Sequence, residues 1–152
     1  MEITLTLALP RDQLSVPVVR RVLSQSLTTL GLAEDMVSDI ELALTEACTN
    51  VLDHADGGDE YEVSACINQD ACVIEIIDRG AGFDGSIAGE PEDLAEGGRG
   101  IEIMRALVDR LEFISRPTEG TVVHLEKRLV WQESAILSRL GRARAEAAAQ
   151  PR

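Results

Sequence analysis

The sequence predicts an α+β fold: a two-layer sandwich with helices on one face of a mixed, mainly antiparallel sheet. Two observations carry the prediction. Segments with strand-like patterning come as two pairs joined by short turns, at 60–67 with 72–78 and at 112–116 with 121–128. Helical spacing instead fills 18–30, 34–55 and 100–111. With a first strand at the start, the order is β-α-α-β-β-α-β-β, which packs as two layers.

The elements follow in turn. Ile3 to Leu9 alternates with threonine and stops at Pro10, as a strand does. Ser15 ahead of Pro17 marks a helix start, and the apolar spacing from Val18 to Leu30 ends at Gly31. Glu34 and Asp35 open the second helix with the charge its dipole favours. That helix runs to about Ala55, where Asp56-Gly57-Gly58-Asp59 breaks it. Glu60 to Ile67 alternates around Tyr61, Val63 and Ala65. Asn68-Gln69-Asp70 turns the chain into the more continuous apolar strand from Cys72 to Asp78. Arg79 to Gly98 is rich in glycine and acid and reads as a long loop, a feature often functional in small domains. A third helix is expected from about Gly100 to Leu111, then strands at Glu112 to Arg116 and Thr121 to Arg128. The alanine- and arginine-rich stretch from Trp131 is expected to form a helix fraying toward Pro151. The organisation is thus one domain over 1–130 and a helical, partly frayed tail over 131–152.

Composition narrows the class. A chain of 152 residues suits one domain with its own core, and 45% hydrophobic with 3% aromatic residues makes that core aliphatic. No apolar run is long enough to span a membrane, and MEITLTLALP lacks the basic start of a signal peptide. Both observations point to the cytoplasm. Cys48, Cys66 and Cys72 are odd in number and lack CxxC spacing, so reduced thiols are expected in place of a zinc site. The net charge of -13 argues against direct nucleic-acid binding, which needs a basic surface. It fits basic protein partners, or a nucleotide met through its cation.

The stretch ELALTEACTNVLDHA, Glu41 to Ala55, concentrates the chemistry. Glu46 and Asn50 stand four residues apart, one turn on the same face. At ~100° per residue they fall at the border of a broad apolar stripe that includes Ile40, Ala43, Ala47 and Val51. A carboxylate there can take a proton or orient water. A carboxamide oxygen can ligate a hard cation such as magnesium. Taken alone the pair reads more simply as a solvated helix edge. Arg20 and Arg21 on the first helix read as an exposed cationic face, with a protein contact as the alternative.

Asp78-Arg79-Gly80-Ala81-Gly82-Phe83 ends a buried strand. A carboxylate there needs donors, and the exocyclic amine of adenine is one that would select against guanine. Gly80 and Gly82 permit a sharp turn close to a ligand. Gly97-Gly98-Arg99-Gly100 opens the third helix, where free N–H groups can bind phosphate and Arg99 can add charge. It is neither a Walker A loop nor a dinucleotide-binding turn. Thr121 starts the last strand, where its hydroxyl could join Asp78 at a base; simple β-propensity is the readier explanation of the residue alone.

Singly these motifs are unspecific. In this order the chain resembles the GHKL superfamily of ATPases, and more closely the anti-sigma-factor serine kinases of bacteria. Glu46 to Asn50 with His54-Ala55 resembles the N box, Asp78 to Phe83 the first glycine box, and Gly97 to Asp109 the second. The resemblance covers roughly residues 1–130. It implies a Bergerat-type, histidine-kinase-like ATPase fold. It implies that Asn50 holds magnesium on ATP, Glu46 is the base for the acceptor hydroxyl, and Asp78 bonds the adenine amine. Gly80 and Gly82 then shape the pocket, Gly98 and Gly100 flank the phosphates, and Thr121 backs the base. The implied partners are a sigma factor and a STAS-type anti-anti-sigma protein phosphorylated on serine or threonine, with a homodimer as the state of many members. Glu96 departs from the basic residue that some relatives carry, leaving Arg99 or Arg105 to compensate. The other readings are a nucleotide-binding interaction module without transfer and a sensor histidine kinase domain. The second lacks a helical hairpin with a phosphoacceptor histidine; His54 and His124 are the only histidines.

Overall fold

The computed structural model describes residues 1–54, 58–78, 98–116 and 120–149. The elements are β1 (Ile3–Pro10), α1 (Ser15–Leu30), α2 (Glu34–His54), β2 (Glu60–Ile67), β3 (Ala71–Asp78), α3 (Gly98–Leu107), β4 (Arg110–Arg116), β5 (Gly120–Arg128) and α4 (Ile136–Ala149). The strands form a five-stranded sheet in the order β1-β2-β3-β5-β4. Every neighbouring pair is antiparallel. The β4–β5 hairpin returns so that β5, not β4, lies against β3.

Alternation decides which face is buried. Tyr61, Val63, Ala65 and Ile67 of β2 are buried, as are Cys72, Ile74, Ile76 and Asp78 of β3 and Val123 and Leu125 of β5. On this face the aliphatic stripes of α1 (Val19, Leu23, Leu27) and α2 (Ile40, Leu44, Ala47, Cys48, Val51) join one core with Met104 of α3. Burial of this apolar surface is the main stabilising term. Helix α2 touches α1, α3 and β3, so it is the centre of the helical layer.

The ends of the helices are specified locally. Gly31 closes α1 at φ 95°, and Leu32 N–H donates to Leu27 O over 3.1 Å, the bond of a left-handed C-terminal cap. A Cβ on Gly31 would meet Ala135 at 2.9 Å, so glycine is required twice over. Ser15 is the first residue of α1 and is buried. Its hydroxyl donates to Asp12 O over 2.6 Å and meets the Tyr61 hydroxyl at 2.6 Å. Burial raises the Tyr61 pKa, partly offset by that bond to Ser15. Helix α3 is shorter at its C-terminal end than its periodicity predicts, because Asp109 N–H already bonds Glu126 O at 2.8 Å and the chain enters β4 at Arg110. Lys127 anchors that end of α3 by donating to Leu107 O over 2.6 Å.

Among the described residues the segment from Trp131 is helical over Ile136–Ala149. Before it, Trp131 bridges to Leu32, and its indole N–H donates to Gln69 O over 2.9 Å. Leu137 is fully buried in the core cluster, and Gln69 Nε2 donates to its carbonyl over 3.0 Å. Among the described residues no helix is long and apolar enough to cross a membrane.

All three cysteines are free; Cys48 and Cys72 are buried and Cys66 is partly exposed. Burial pushes the Cys48 and Cys72 thiols up to about 12, far from thiolate at neutral pH. Iodoacetamide at pH 8 is therefore expected to label Cys66 alone in the folded protein and all three in denaturant. Mass mapping of the labelled peptides checks this, and rapid native labelling of Cys48 would contradict the packing of α2.

Candidate active site

Helix α2 supplies the first two groups. Its buried stripe turns Ala43, Ala47, Cys48 and Val51 inward, which leaves Glu46 and Asn50 half-buried at the border. The i, i+4 spacing stacks them on one side of the helix. The packing of α3 on α2 brings in the third group. The position a Cβ would take on Gly100 lies 2.9 Å from Glu46 Oε2. The Glu46 carboxylate thus rests against the first turn of α3, where Gly98, Arg99 and Gly100 open the helix. Free N–H groups at such a start favour an anion, and a glycine there leaves the backbone uncovered. Arg99 and Arg105 are both exposed.

Sheet register supplies the rest. Asp78 is the last inward position of β3 and is only 4% exposed. It stands opposite Tyr61 of β2 and Thr121 of β5. Asp78 and Thr121 are therefore neighbours at one end of the sheet, as the reading of a shared base contact requires.

One side chain joins the two halves, and sequence reasoning missed it. Arg11, just beyond β1, places Nη1 2.9 Å from Asp78 Oδ2. Its Nη2 donates to Val51 O over 3.2 Å and to Leu52 O over 3.4 Å, in the turn of α2 that follows Asn50. Contacts thus join Gly100 to Glu46, and Arg11 both to Asp78 and to the turn of α2 after Asn50, with Thr121 opposite Asp78. The signal that pointed to Arg11 was indirect: a carboxylate at the end of a buried strand demands a donor. Nothing in the spacing of Pro10-Arg11-Asp12 says which residue answers that demand.

Gly80 and Gly82, with Glu96 and the rest of the loop between β3 and α3, lie outside the described residues, as does the side chain of His54. Arg20 Nε lies 3.6 Å from Glu41 Oε1 with both side chains 40% exposed, the ordinary cationic face, and such a pair adds little stability. His124 pairs with Glu75 at 3.2 Å on the sheet, apart from these contacts. Among the described residues no group of three or more His, Cys, Asp or Glu gathers as a metal cluster.

Comparison with known proteins identifies the family. The family model described as "Histidine kinase-like ATPase domain" matches residues 9–127. The chain is 34% identical over 137 residues to a serine-protein kinase RsbW of Halalkalibacterium halodurans, covering 83% of each chain. It is 35% identical over 103 residues to an anti-sigma F factor of Clostridium beijerinckii, covering 62% of this chain and 72% of that one. A crystal structure of the RsbU and RsbW domains of a Mycobacterium tuberculosis protein superposes with a TM-score of 0.64 at 22% identity. That match takes in 84% of this chain and 32% of the other, and it shows the shared fold. The chain belongs to the histidine kinase-like ATPases and, among them, to the family of RsbW-type serine-protein kinases and anti-sigma factors.

Proposed function

We propose that this chain binds Mg-ATP between the start of α3 and the end of β3, passes the γ-phosphate to a serine or threonine of a STAS-type anti-anti-sigma protein, and captures a sigma factor. The observation that carries the reading is the Glu46 carboxylate held against Gly100 at the start of α3, on the same helix face as Asn50. A base one turn from a magnesium ligand and beside a phosphate-binding helix start is what in-line phosphoryl transfer requires.

Asn50 is the residue to hold magnesium through its side-chain oxygen. One protein oxygen suffices, since this ion keeps waters and shares phosphate oxygens. When bound, the ion neutralises charge between the phosphates. Gly98 and Gly100 offer backbone N–H groups to the phosphates, with Arg99 adding charge; Gly80 and Gly82 shape the pocket beyond Asp78. Glu46 takes the proton of the acceptor hydroxyl as its oxygen attacks the γ-phosphorus, and the bond from that phosphorus to the β–γ bridging oxygen breaks to release ADP. Asp78 accepts from the adenine amine, with Thr121 beside it. The relatives' names, serine-protein kinase and anti-sigma factor, support both halves of the reading. It extends to a cytoplasmic location and a homodimer. The test is a titration with ATP with and without magnesium, followed by gel filtration with the sigma factors of the same cell. Magnesium-dependent binding with co-elution of one sigma factor is expected; absence of both would remove the proposal.

Gly100→Ala is expected to keep the fold, because the atom in the way is the far end of a flexible side chain. It should nonetheless displace Glu46 and slow transfer by roughly 10²-fold, the cost of about 1 Å of misplacement. Unfolding midpoints and single-turnover rates measured together check this; wild-type transfer would contradict the placement of Glu46.

A further inference from the structure

We propose that Arg11 is a positioning residue that sets the base preference of the nucleotide site: it fixes the orientation of the Asp78 carboxylate and ties it to the helix that carries Glu46 and Asn50. The inference rests on the reading of Asp78 as the residue that meets the purine. The observation is a three-way junction. The Arg11 side chain is 12% exposed and that of Asp78 5%, so their 2.9 Å ion pair is largely removed from water. The second arm of the guanidinium donates to the carbonyls of Val51 and Leu52, near the C-terminal end of α2. Those carbonyls carry the negative end of the helix dipole. The Arg11 backbone N–H donates to Asp59 O over 2.9 Å, which fixes the stem of the side chain ahead of β2.

Chemistry turns this junction into selectivity. A guanidinium is always charged, and its rigid fork can serve two acceptor sets at once. One arm of that fork fixes Asp78 Oδ2 at 2.9 Å and so sets the direction in which the carboxylate faces. A carboxylate accepts hydrogen bonds and donates none. An acceptor-only group rewards the 6-amino group of adenine and penalises the 6-oxo group of hypoxanthine, because two acceptors then face each other unpaired. Without the Arg11 anchor the carboxylate can turn away from the base, and the distinction between the two purines weakens. Arg11 thus acts on the purine through Asp78. It also couples the base end of the site to the turn of α2 after Asn50, so that base and phosphates are presented in one register.

The test is calorimetric binding of ADP and IDP, with magnesium, to the full chain. The variants are Arg11→Gln, Arg11→Lys and Asp78→Asn, with Arg11→Met as a second neutral variant should Arg11→Gln fail to fold. The wild type should prefer ADP. The neutral variant should lose ADP affinity by on the order of tenfold, what one charge-assisted bond is worth, and lose less for IDP, so the ADP:IDP ratio falls. Arg11→Lys should recover much of the ratio, because it restores the charge. Asp78→Asn should move the preference toward IDP, since a carboxamide can donate. A ratio unchanged in the neutral variant, whether both affinities hold or fall together, would overturn the role of Arg11. A wild-type ratio in Asp78→Asn would instead remove the base-binding reading of Asp78, and the inference with it.

Discussion

Asn50→Ala is expected to abolish magnesium-dependent ATP binding while leaving the fold intact. Asn50 is half-buried on α2 and contributes nothing to the aliphatic core, which is made by its neighbours Ala47, Cys48 and Val51. Alanine is the better helix former by about 0.5 kcal/mol, so stability should hold or rise slightly. What disappears is the side-chain oxygen proposed for the cation, and with it the charge neutralisation that lets triphosphate sit beside an acidic protein. The chain carries a net charge of -13, so uncompensated phosphate is penalised by the whole field as well as locally. The wild type should lose ATP affinity when EDTA replaces magnesium. The variant should bind equally weakly in both, and retained magnesium dependence would send the metal role elsewhere.

Glu46→Gln is expected to have the second large effect, of a different kind. The amide is nearly isosteric with the carboxylate, and Gly100 leaves it the same space. Nucleotide binding should therefore persist, with KM for ATP close to wild type. The turnover number should fall by about 10² to 10⁴, the usual contribution of a positioned base. This split between KM and kcat separates a base from a structural residue, because general damage to α2 would move both. A variant that transfers phosphate at the wild-type rate would leave Glu46 as a solvated helix edge.

The order of strands and helices was legible because each segment has one clear period and one buried face. β2, with Tyr61, Val63, Ala65 and Ile67 inward, is the plainest case. The sheet was expected to be mixed and mainly antiparallel; among the described strands all pairs are antiparallel. Strand order is a non-local property, and no local pattern says that β5 inserts beside β3. Glu46 and Asn50 were legible from helix spacing, and Asp78 from the cost of a carboxylate at a buried strand end. Their assembly was not, since it depends on register (Asp78 opposite Thr121) and on helix packing (Gly100 over Glu46). Arg11 was missed for the same reason: it is 67 residues from its partner. The segment after β5 taught a related lesson. Its composition reads as a trailing helix, yet Leu137 is fully buried and Trp131 bonds the β2–β3 turn at Gln69. A single buried leucine in an alanine-rich, charged stretch, with Ile136 and Leu140 exposed beside it, gives too little amphipathic signal to announce a docking face.

The central claim is that the constellation on α2, α3 and β3 moves phosphate onto a protein hydroxyl. The most direct measurement is transfer of labelled γ-phosphate from Mg-ATP to each STAS-type protein of the same cell. Phosphoserine or phosphothreonine on one of them is expected with the wild-type chain, with none when Glu46→Gln replaces it. Tight ATP binding with no label on any candidate would contradict the claim and leave a nucleotide-gated binding module.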